Sequence, residues 1–421
     1  MKFGKLFLTL SMLGFVLLFA ACSASGEGGS SDDVVELEMY SWRAEDRQAY
    51  EKLIEAFEDE HPNIKINFSP FDSTEYNTIL TNAIISGEGP DIAQLRPYSG
   101  TKTLADNGDL LNLDDIDGID SINSDYLDAA RGSDGSVYGV PLTLNAGVIF
   151  YNKGLFDEYG LEAPETWDEF MEVSAELDAN GIIPVAQGGR AAYLLSMLHG
   201  VISPSLYGGN ELVEELVNGE TDLLDDRMLA TLDRLQELEQ YLPQDFIALD
   251  DNDAQALFYA EEAAMYINGD YRLGTFENNA PDMELGVIPA LKIDGTDEAP
   301  VMTWVDGSYG VLDSSDNQDE AMKFMEFMTT QEFGQIFTNE FNRVSAVEGV
   351  NPEHEIVQQV SDAKDVSSTP YLFLVHFGEG SPTTKTVFED AIQGMFLGKI
   401  TKEQVLEDAQ RNYERATAEE E

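Results

Sequence analysis

The sequence predicts an α/β fold with a parallel sheet, because strand and helix patterns alternate along the chain from residue 35 onward. Residues 35–39 alternate between apolar and acidic side chains, as a half-buried strand does. Apolar residues of the segment 50–57 then recur at helical spacing, and residues 64–68 alternate again as a second strand. A helix between two strands favours parallel pairing of those strands.

A second helix and a third strand continue this alternation. Apolar residues recur at helical spacing from Tyr76 to Ile84, and Gly87 is placed to end that helix, because glycine readily adopts the left-handed conformation of a helix terminus. Residues 90–95 are typical of the next strand. The order strand, helix, strand, helix, strand predicts that the sheet is parallel.

The later part of the chain predicts two crossings between domains and further helices. The apolar run 146–151 is typical of a buried strand at the first crossing, and residues 286–289 predict a strand near the second. A helix begins after Pro164, where Thr166 and Glu169 have the spacing of a capping box. Helical patterns also occupy residues 211–240, 254–264, 321–328, 387–397 and 401–415, the last with Thr401 and Gln404 as a second capping box.

Residues 1–22 have the features of an export signal. Lys2 and Lys5 precede an apolar run that is shorter than the roughly 20 residues of a membrane-spanning helix, and small residues lead to Cys22, the only cysteine. Residues 19–22 resemble the bacterial lipobox, whose cysteine becomes lipidated and anchors the mature protein. Residues 23–33 then predict a flexible tether. Cleavage to a fully secreted protein is the alternative.

The charge balance excludes some partners. The chain has 80 acidic and 23 basic residues among 421, a formal net charge of -57, so it repels nucleic acid and anionic lipid. Because the acidic residues are spread along the whole chain, a solvated acidic surface is the simplest interpretation. A hydrophobic content of 43% and this length allow two or more domains, which no disulfide of their own stabilises once Cys22 serves as the anchor.

Six segments carry motifs in a specific order and spacing, namely residues 57–66, 86–92, 138–141, 150–156, 164–170 and 263–271. Together they resemble the extracellular solute-binding proteins of ABC importers, in the class that includes maltose- and oligosaccharide-binding proteins. The resemblance implies the two-lobe, type II periplasmic-binding-protein-like α/β fold, with a ligand cleft between the lobes. It places 34–143 plus 303–345 in lobe 1 and 146–299 plus 350–421 in lobe 2.

A sugar site needs aromatic rings for the flat C–H faces of the ligand and polar side chains for its hydroxyls. In lobe 1, Trp42, Arg43 and Glu45 follow the first strand, and Arg96 and Tyr98 follow the third strand. The carboxyl ends of such strands are where open α/β sheets bind ligands. Core packing is the alternative for Trp42, and an ordinary acid in the first turn of a helix is the alternative for Glu45.

The resemblance places further candidate ligand contacts at the crossings and in lobe 2. These are Asn145, Arg190, Tyr193, Tyr271, Trp304, Asp306 and Tyr309, with Arg343 as an additional candidate. The alternatives are a turn residue for Asn145 and a surface ion pair for Arg190. Tyr271 stands where relatives usually have tryptophan, and its ring can still stack on a sugar.

The resemblance implies a receptor that performs no chemistry and needs no cofactor or metal. We expect a monomer, lipid-anchored at the outer face of the bacterial cytoplasmic membrane, that captures a carbohydrate, most simply an oligosaccharide, and delivers it to two transmembrane permease subunits. We expect no nucleic acid partner.

Two other classes of function stay open at this point. One is binding of another polar solute, such as a polyol, a peptide or an amino acid. The other is an exported glycoside hydrolase, since paired carboxylates perform that chemistry. The sequence contains neither a Gly-x-Ser-x-Gly nor a His-Glu-x-x-His motif, and its four histidines lack the spacing of metal ligands.

Overall fold

The computed structural model describes residues 34–293 and 299–420. The predicted signal peptide, the lipidation site Cys22 and the predicted tether lie outside the described residues. Within the described ranges, no helix combines the length and the apolar composition that crossing a membrane requires.

Strands and helices alternate along most of the chain and form two lobes, each around its own sheet. The strands are β1 (Val35–Ser41), β2 (Ile64–Pro70), β3 (Ile92–Leu95), β4 (Val140–Pro141), β5 (Leu144–Asn152), β6 (Ile183–Ala186), β7 (Ala263–Gly269), β8 (Leu285–Ile288), β9 (Val301–Val305), β10 (Ser308–Val311) and β11 (Ser368–Pro370). The α-helices are α1 (Arg47–Glu60), α2 (Tyr76–Ser86), α3 (Ser99–Asp106), α4 (Ser124–Leu127), α5 (Lys153–Tyr159), α6 (Trp167–Ala179), α7 (Tyr193–Ile202), α8 (Pro204–Tyr207), α9 (Asn210–Val217), α10 (Asp226–Leu238), α11 (Asp251–Tyr259), α12 (Leu273–Asn279), α13 (Gln318–Met328), α14 (Gln331–Phe341), α15 (Glu355–Val366), α16 (Leu372–His376), α17 (Thr384–Phe396) and α18 (Lys402–Glu420).

The first lobe contains a five-stranded sheet in the order β2-β1-β3-β10-β4. Strand β1 is parallel to both β2 and β3, which confirms the predicted parallel arrangement of the first three strands. Strand β10 is antiparallel to β3 and β4 and returns a late part of the chain to this sheet. Helices α1, α13 and α14 bury Phe57, Phe324 and Phe337 in one apolar core with this sheet.

The second lobe contains a sheet in the order β11-β9-β5-β7-β6, with β8 also paired to β5. The predicted buried strand at 146–151 is the central part of β5. Its side chains alternate between two apolar clusters, with Ile149 in one and Val148 and Phe150 in the other. Helices therefore cover both faces of this sheet, and the α/β fold class with two lobes is confirmed.

The chain passes between the two sheets three times, and the three crossing segments lie side by side. The first joins β4 to β5, the second joins β9 to β10, and the third follows α14. The amide of Leu142 donates to the carbonyl of Gly307 at 3.1 Å, and the amide of Ala346 donates to the carbonyl of Leu142 at 2.9 Å. Thr143 Oγ1 also donates to the carbonyl of Val344 at 2.6 Å. These bonds tie the crossings into one short hinge.

Several local predictions are confirmed because they depend on neighbouring residues alone. Gly87 ends α2 with a φ of 69°, and the Thr166 and Glu169 side chains form the predicted capping box at α6. Thr401 and Gln404 exchange the corresponding bonds at the start of α18, at 2.9 and 3.3 Å.

Two predicted helical segments have different bounds in the structure. The segment 211–240 contains two helices, α9 and α10, with an intervening loop. The prediction of one helix over 254–264 is wrong at its end, because α11 stops at Tyr259 and Ala263 already belongs to β7. Pairing of Ala263 with Ile183 in the sheet overrides the helix preference of this alanine-rich stretch.

Candidate ligand-binding cleft

The predicted ligand contacts of the first lobe follow adjacent strands. Trp42 and Arg43 come directly after β1, and Arg96 and Tyr98 come after β3, which is the parallel neighbour of β1. Asp306 precedes β10, which runs antiparallel to β3, so it reaches the same edge of the sheet. The topology therefore brings these loops together at the side that faces the second lobe.

Trp42 contacts both an aromatic ring and a guanidinium group, and the Arg96 guanidinium also lies 5.9 Å from the Tyr76 ring centroid. Its ring contacts that of Tyr76 edge to face, with a centroid distance of 5.4 Å, and the Arg96 guanidinium lies 4.1 Å from the Trp42 ring centroid. Arg96 Nε donates to Asn77 Oδ1 at 3.0 Å, and Arg96 Nη2 donates to the carbonyl of Ser73 at 2.7 Å. Burial, and next the charge of Arg43, lowers the pKa of Arg96 to about 10. Only 3% of Trp42 is exposed.

Arg43 links the two lobes. Its guanidinium forms an ion pair with Asp306, contacts Glu45 at 3.4 Å and lies 5.1 Å from the ring centroid of Tyr271 in the second lobe. Burial alone would lower the pKa of Arg43, but Asp306 and then Glu45 raise it above its ordinary value. Burial likewise opposes ionisation of Glu45, yet the charge of Arg43 lowers the pKa of this carboxyl. Both groups are therefore charged at neutral pH.

The second lobe contributes two rings and an amide, and Trp304 is among them because β9 belongs to the second sheet, although the resemblance placed residue 304 at the start of a lobe 1 segment. The rings of Tyr271 and Trp304 meet edge to face at 6.4 Å, and Tyr271 Oη donates to Asn268 Oδ1 at 2.7 Å. Asn145 pairs with Trp304 across β5 and β9. The Asn145 side chain is fully buried, and no described protein atom hydrogen-bonds its carboxamide. Gly269 is required here, because a Cβ atom at this position would collide with the Tyr271 ring.

A cavity of about 460 Å³ opens between the lobes, and Tyr98 is the one predicted ligand contact among the described residues that line it. Tyr98 lines it from the first lobe, and the amide of Val305 donates to Tyr98 Oη at 3.2 Å. Burial raises the pKa of Tyr98 to about 12, so its hydroxyl is neutral. The lobes meet at its rim, where Ser99 Oγ donates to the carbonyl of Gly378 at 2.9 Å. The other lining residues are Lys102, Asp128, Arg131, Gly132, Ser133, Val375, His376 and Glu379.

Three of the predicted contacts lie apart from the contacts around Arg43. Tyr309 is fully buried in the core of the first lobe, where it meets Tyr50 edge to face at 6.0 Å. Arg190 is largely exposed and lies 3.6 Å from Asp250, which matches the surface ion pair considered above. Tyr193 is half-buried, and its hydroxyl interacts with Arg272, the neighbour of Tyr271.

Sequence reasoning did not identify several groups of the cleft. Arg272 forms an ion pair with Asp251, whose other carboxylate oxygen accepts from Asn268 Nδ2 at 3.1 Å. His376 and Glu379 reach the cavity from the end of α16 and the loop that leads to α17. The position of Arg272 beside Tyr271 was a usable signal, whereas the C-terminal residues carry no local pattern that indicates a cleft. Among the residues that the structure describes, no cluster of histidine, cysteine or acidic side chains could hold a metal ion.

Residues 41–335, well over half of the chain, match the family model of the bacterial extracellular solute-binding proteins. The chain belongs to this family. The solute-binding protein is 26% identical over 371 residues to the multiple sugar-binding protein of Streptococcus mutans, covering 84% of this chain and 85% of that protein. It is 26% identical over 390 residues to an uncharacterised ABC transporter extracellular-binding protein of Pyrococcus horikoshii, covering 87% and 82%.

Solved structures share the two-lobe architecture of this solute-binding protein. A chitin oligosaccharide binding protein superposes with a TM-score of 0.78 at 24% identity, covering 92% of this chain and all of that one. The solute-binding protein RafE, in complex with raffinose, superposes with a TM-score of 0.76 at 21% identity, covering 91% and 100%. At these identities the likeness concerns the fold.

Proposed function

We propose that this solute-binding protein captures a carbohydrate, most simply an oligosaccharide, between its lobes and delivers it unchanged to the permease of an ABC importer. The observation that carries this proposal is the meeting of aromatic and polar side chains from both lobes at one cleft. Trp42 and Tyr98 come from the first lobe, and Tyr271 and Trp304 from the second. The names of a relative and of two structural neighbours, which refer to multiple sugars, chitin oligosaccharide and raffinose, support a sugar ligand.

The cleft chemistry suits a neutral, hydroxyl-rich molecule. Arg43 is already paired with carboxylates, so it orients the site more than it attracts an anion. The Asn145 amide can both donate to and accept from hydroxyl groups, and the Tyr271 ring can pack on a sugar face. Both Trp42 and Trp304 are buried, so opening of the lobes about the three crossings is the motion that would bring them to the ligand. The free energy of reclosure then comes from ligand contacts with both lobes.

The proposal extends to location and partners. Lipid on Cys22 would hold the protein, as a monomer, at the outer face of the cytoplasmic membrane, where two permease subunits receive the sugar. Globomycin treatment of expressing cells should then accumulate an uncleaved precursor, detected as a slower band on a gel. Normal maturation in the presence of globomycin would favour a fully secreted protein instead.

A thermal-shift screen tests the class of ligand. The screen compares raffinose, chitin oligosaccharides, xylan oligosaccharides and galactose with polyols, peptides and amino acids. A ligand that binds only the native form raises the melting temperature, and we expect the largest increase with an oligosaccharide. A shift with a peptide or an amino acid alone would overturn the sugar assignment. The bound sugar should be recovered intact after prolonged incubation, whereas release of shorter products would indicate a hydrolase.

Calorimetry on variants tests the site with the sugar that this screen identifies. Tyr271→Ala should weaken binding by about 1 to 3 kcal/mol, because it removes a ring from the cleft. Tyr159→Ala is the matched control, since Tyr159 is also half-buried in the second lobe but lies at the end of α5, in a surface pocket away from the cleft. Equal affinity of both variants and the wild type would remove Tyr271 from the site.

A further inference from the structure

Helix α2 exposes a face without charge, in contrast to the rest of this acidic protein. Its sequence, from Tyr76 to Ser86, contains no acidic or basic residue. Every other described helix of ten or more residues contains at least one acidic or basic residue, and in α7 that residue is His199, within a stretch buried from Leu194 to Ile202. The exposed faces of the other long helices carry charged side chains, as α1 does.

Most of the uncharged residues of α2 do not pack against the rest of the protein. Tyr76 and Leu80 are the buried residues of this helix. The exposed residues are Asn77, Thr78, Thr81, Asn82, Ile85 and Ser86. Ile85 is 78% exposed, among the most exposed large apolar side chains of the described chain. We name the exposed residues the α2 face.

Burial of such a face against another protein costs little desolvation free energy, because no charged group loses its water. Burial of a carboxylate is strongly unfavourable unless a partner charge compensates it, and interface centres are depleted of aspartate, glutamate and lysine. The α2 face would release water from hydroxyl, amide and isoleucine groups only. A second copy of this chain is an unsuitable partner, because two molecules with a net charge of -57 repel each other. Repulsion by anionic lipid disfavours the membrane surface for the same reason.

The first turn of α2 is continuous with the ligand cleft. Asn77 accepts from Arg96, whose guanidinium lies over the Trp42 ring, and the Tyr76 ring contacts Trp42 edge to face. The hydroxyl of Tyr76 also donates to the carbonyl of Gln94 in β3 at 2.6 Å. A protein seated on the α2 face therefore reaches the rim of the cleft in the first lobe, as a protein that receives the ligand must.

We infer that the α2 face docks onto the extracellular side of the importer's permease, an inference that rests on the proposed function. The receiving surface should be uncharged and should offer apolar area for Ile85 together with hydrogen-bonding groups for Thr81 and Asn82. A negative charge placed on this face would be desolvated on docking without a partner. It should weaken docking but leave sugar capture intact.

The test uses proteoliposomes that contain the permease and ATPase subunits, with binding protein loaded with the sugar found by thermal shift. Ile85→Glu and Thr81→Glu should each raise the concentration needed for half-maximal ATPase stimulation at least tenfold, with an unchanged sugar Kd and melting temperature. Val366→Glu is the matched control, because Val366 is 84% exposed but ends α15 in the second lobe. It should stimulate the ATPase as the wild type does.

Each other outcome has a defined meaning. Stimulation by Ile85→Glu and Thr81→Glu at wild-type concentrations would overturn this inference alone. A wild type that binds sugar but never stimulates the ATPase would overturn the proposed function, and this inference with it. If stimulation persists in Ile85→Glu while a concentration-dependent dimer of the wild type, seen by sedimentation velocity, is lost, the face serves a second copy and the inference is wrong.

Discussion

The buried charges of the cleft are balanced within the protein, whereas those of the outer surface are not. Three arginines of the cleft and the adjacent hinge each face a carboxylate. The pairs are Arg43 with Asp306, Arg272 with Asp251, and Arg343 with Asp46, the last at 2.9 Å. Over the whole chain, by contrast, 80 acidic residues stand against 23 basic ones, and exposed pairs such as Arg411 with Asp408 are open to solvent.

This difference separates two roles of charge. Buried pairs fix geometry, because a charged group removed from water must keep its partner. Exposed carboxylates remain hydrated and contribute repulsion that keeps the protein soluble. The cations of the cleft are thus committed to internal contacts, and recognition of a ligand falls to rings, amides and hydroxyls.

We expect the largest effect from removing one partner of a cleft ion pair, compared with the same change in a surface ion pair. Asp306→Ala removes the main partner of Arg43, which is buried, so we expect a loss of about 3 kcal/mol in the free energy of unfolding, with Glu45 retaining part of the compensation. Asp408→Ala removes the exposed partner of Arg411 and should cost less than about 1 kcal/mol. Urea unfolding measures both changes. Similar losses in the two variants would contradict the distinction between cleft and surface.

A second prediction concerns pH and the hinge. Burial raises the pKa of Asp270 to about 6, although Lys364 on α15 and Arg343 on the third crossing oppose this shift and Asp306 adds to it. Since the folded pKa exceeds the ordinary value of about 3.9, protonated Asp270 stabilises the fold below pH ~4, and that contribution is lost as pH rises through about 6. Asp270→Asn should therefore be more stable than the wild type by about 3 kcal/mol at pH 7.5, and equally stable near pH 4.

The control for this pH effect has the opposite sign. Asp72 is exposed, and its carboxylate accepts bonds from the amide and hydroxyl of Thr74 at 2.8 and 2.5 Å, which lower its pKa. The stability that Asp72 contributes is present above its unfolded pKa and lost as pH falls. Melting temperatures between pH 2 and 8 should show the wild type gaining on Asp72→Asn as pH rises to about 4, the unfolded pKa, and a constant difference above it. Parallel pH profiles for the two variants would refute the assignment of Asp270.

The parts of the fold that sequence predicted are those encoded locally. The periodicity of α1 and α2 and the capping boxes at Thr166 and Thr401 depend on residues within a few positions of each other. The end of α11 could not be predicted in this way, because Ala263 is held in β7 by pairing with residues far away in the sequence. Strand pairing is decided by tertiary contacts that a local pattern does not contain.

The candidate site divides along the same line. Strand order predicts that the loops carrying Trp42 and Arg96 converge, because adjacent parallel strands end at one edge of a sheet. The contact of Arg43 with Tyr271 depends on how the two lobes meet, which no segment encodes alone. Tyr309 is close to the second crossing in sequence, but its side chain points into the core of the first lobe, as the alternation of side chains along β10 dictates. It therefore does not reach the cleft.

We expect the smallest effect from ionic strength, which should change the melting temperature through the surface charges and leave sugar binding in the cleft nearly unchanged. Raising NaCl from about 0.02 to 0.5 M shortens the Debye length from roughly 20 to roughly 4 Å, which screens repulsion among exposed carboxylates and should raise the melting temperature by a few degrees. Sugar affinity should change less than about twofold, because the charges around Arg43 are buried and paired, and KCl should act as NaCl does. A steep fall of affinity with salt would show that an unpaired cleft cation attracts an anionic ligand, which would remove the contrast between balanced interior and acidic surface.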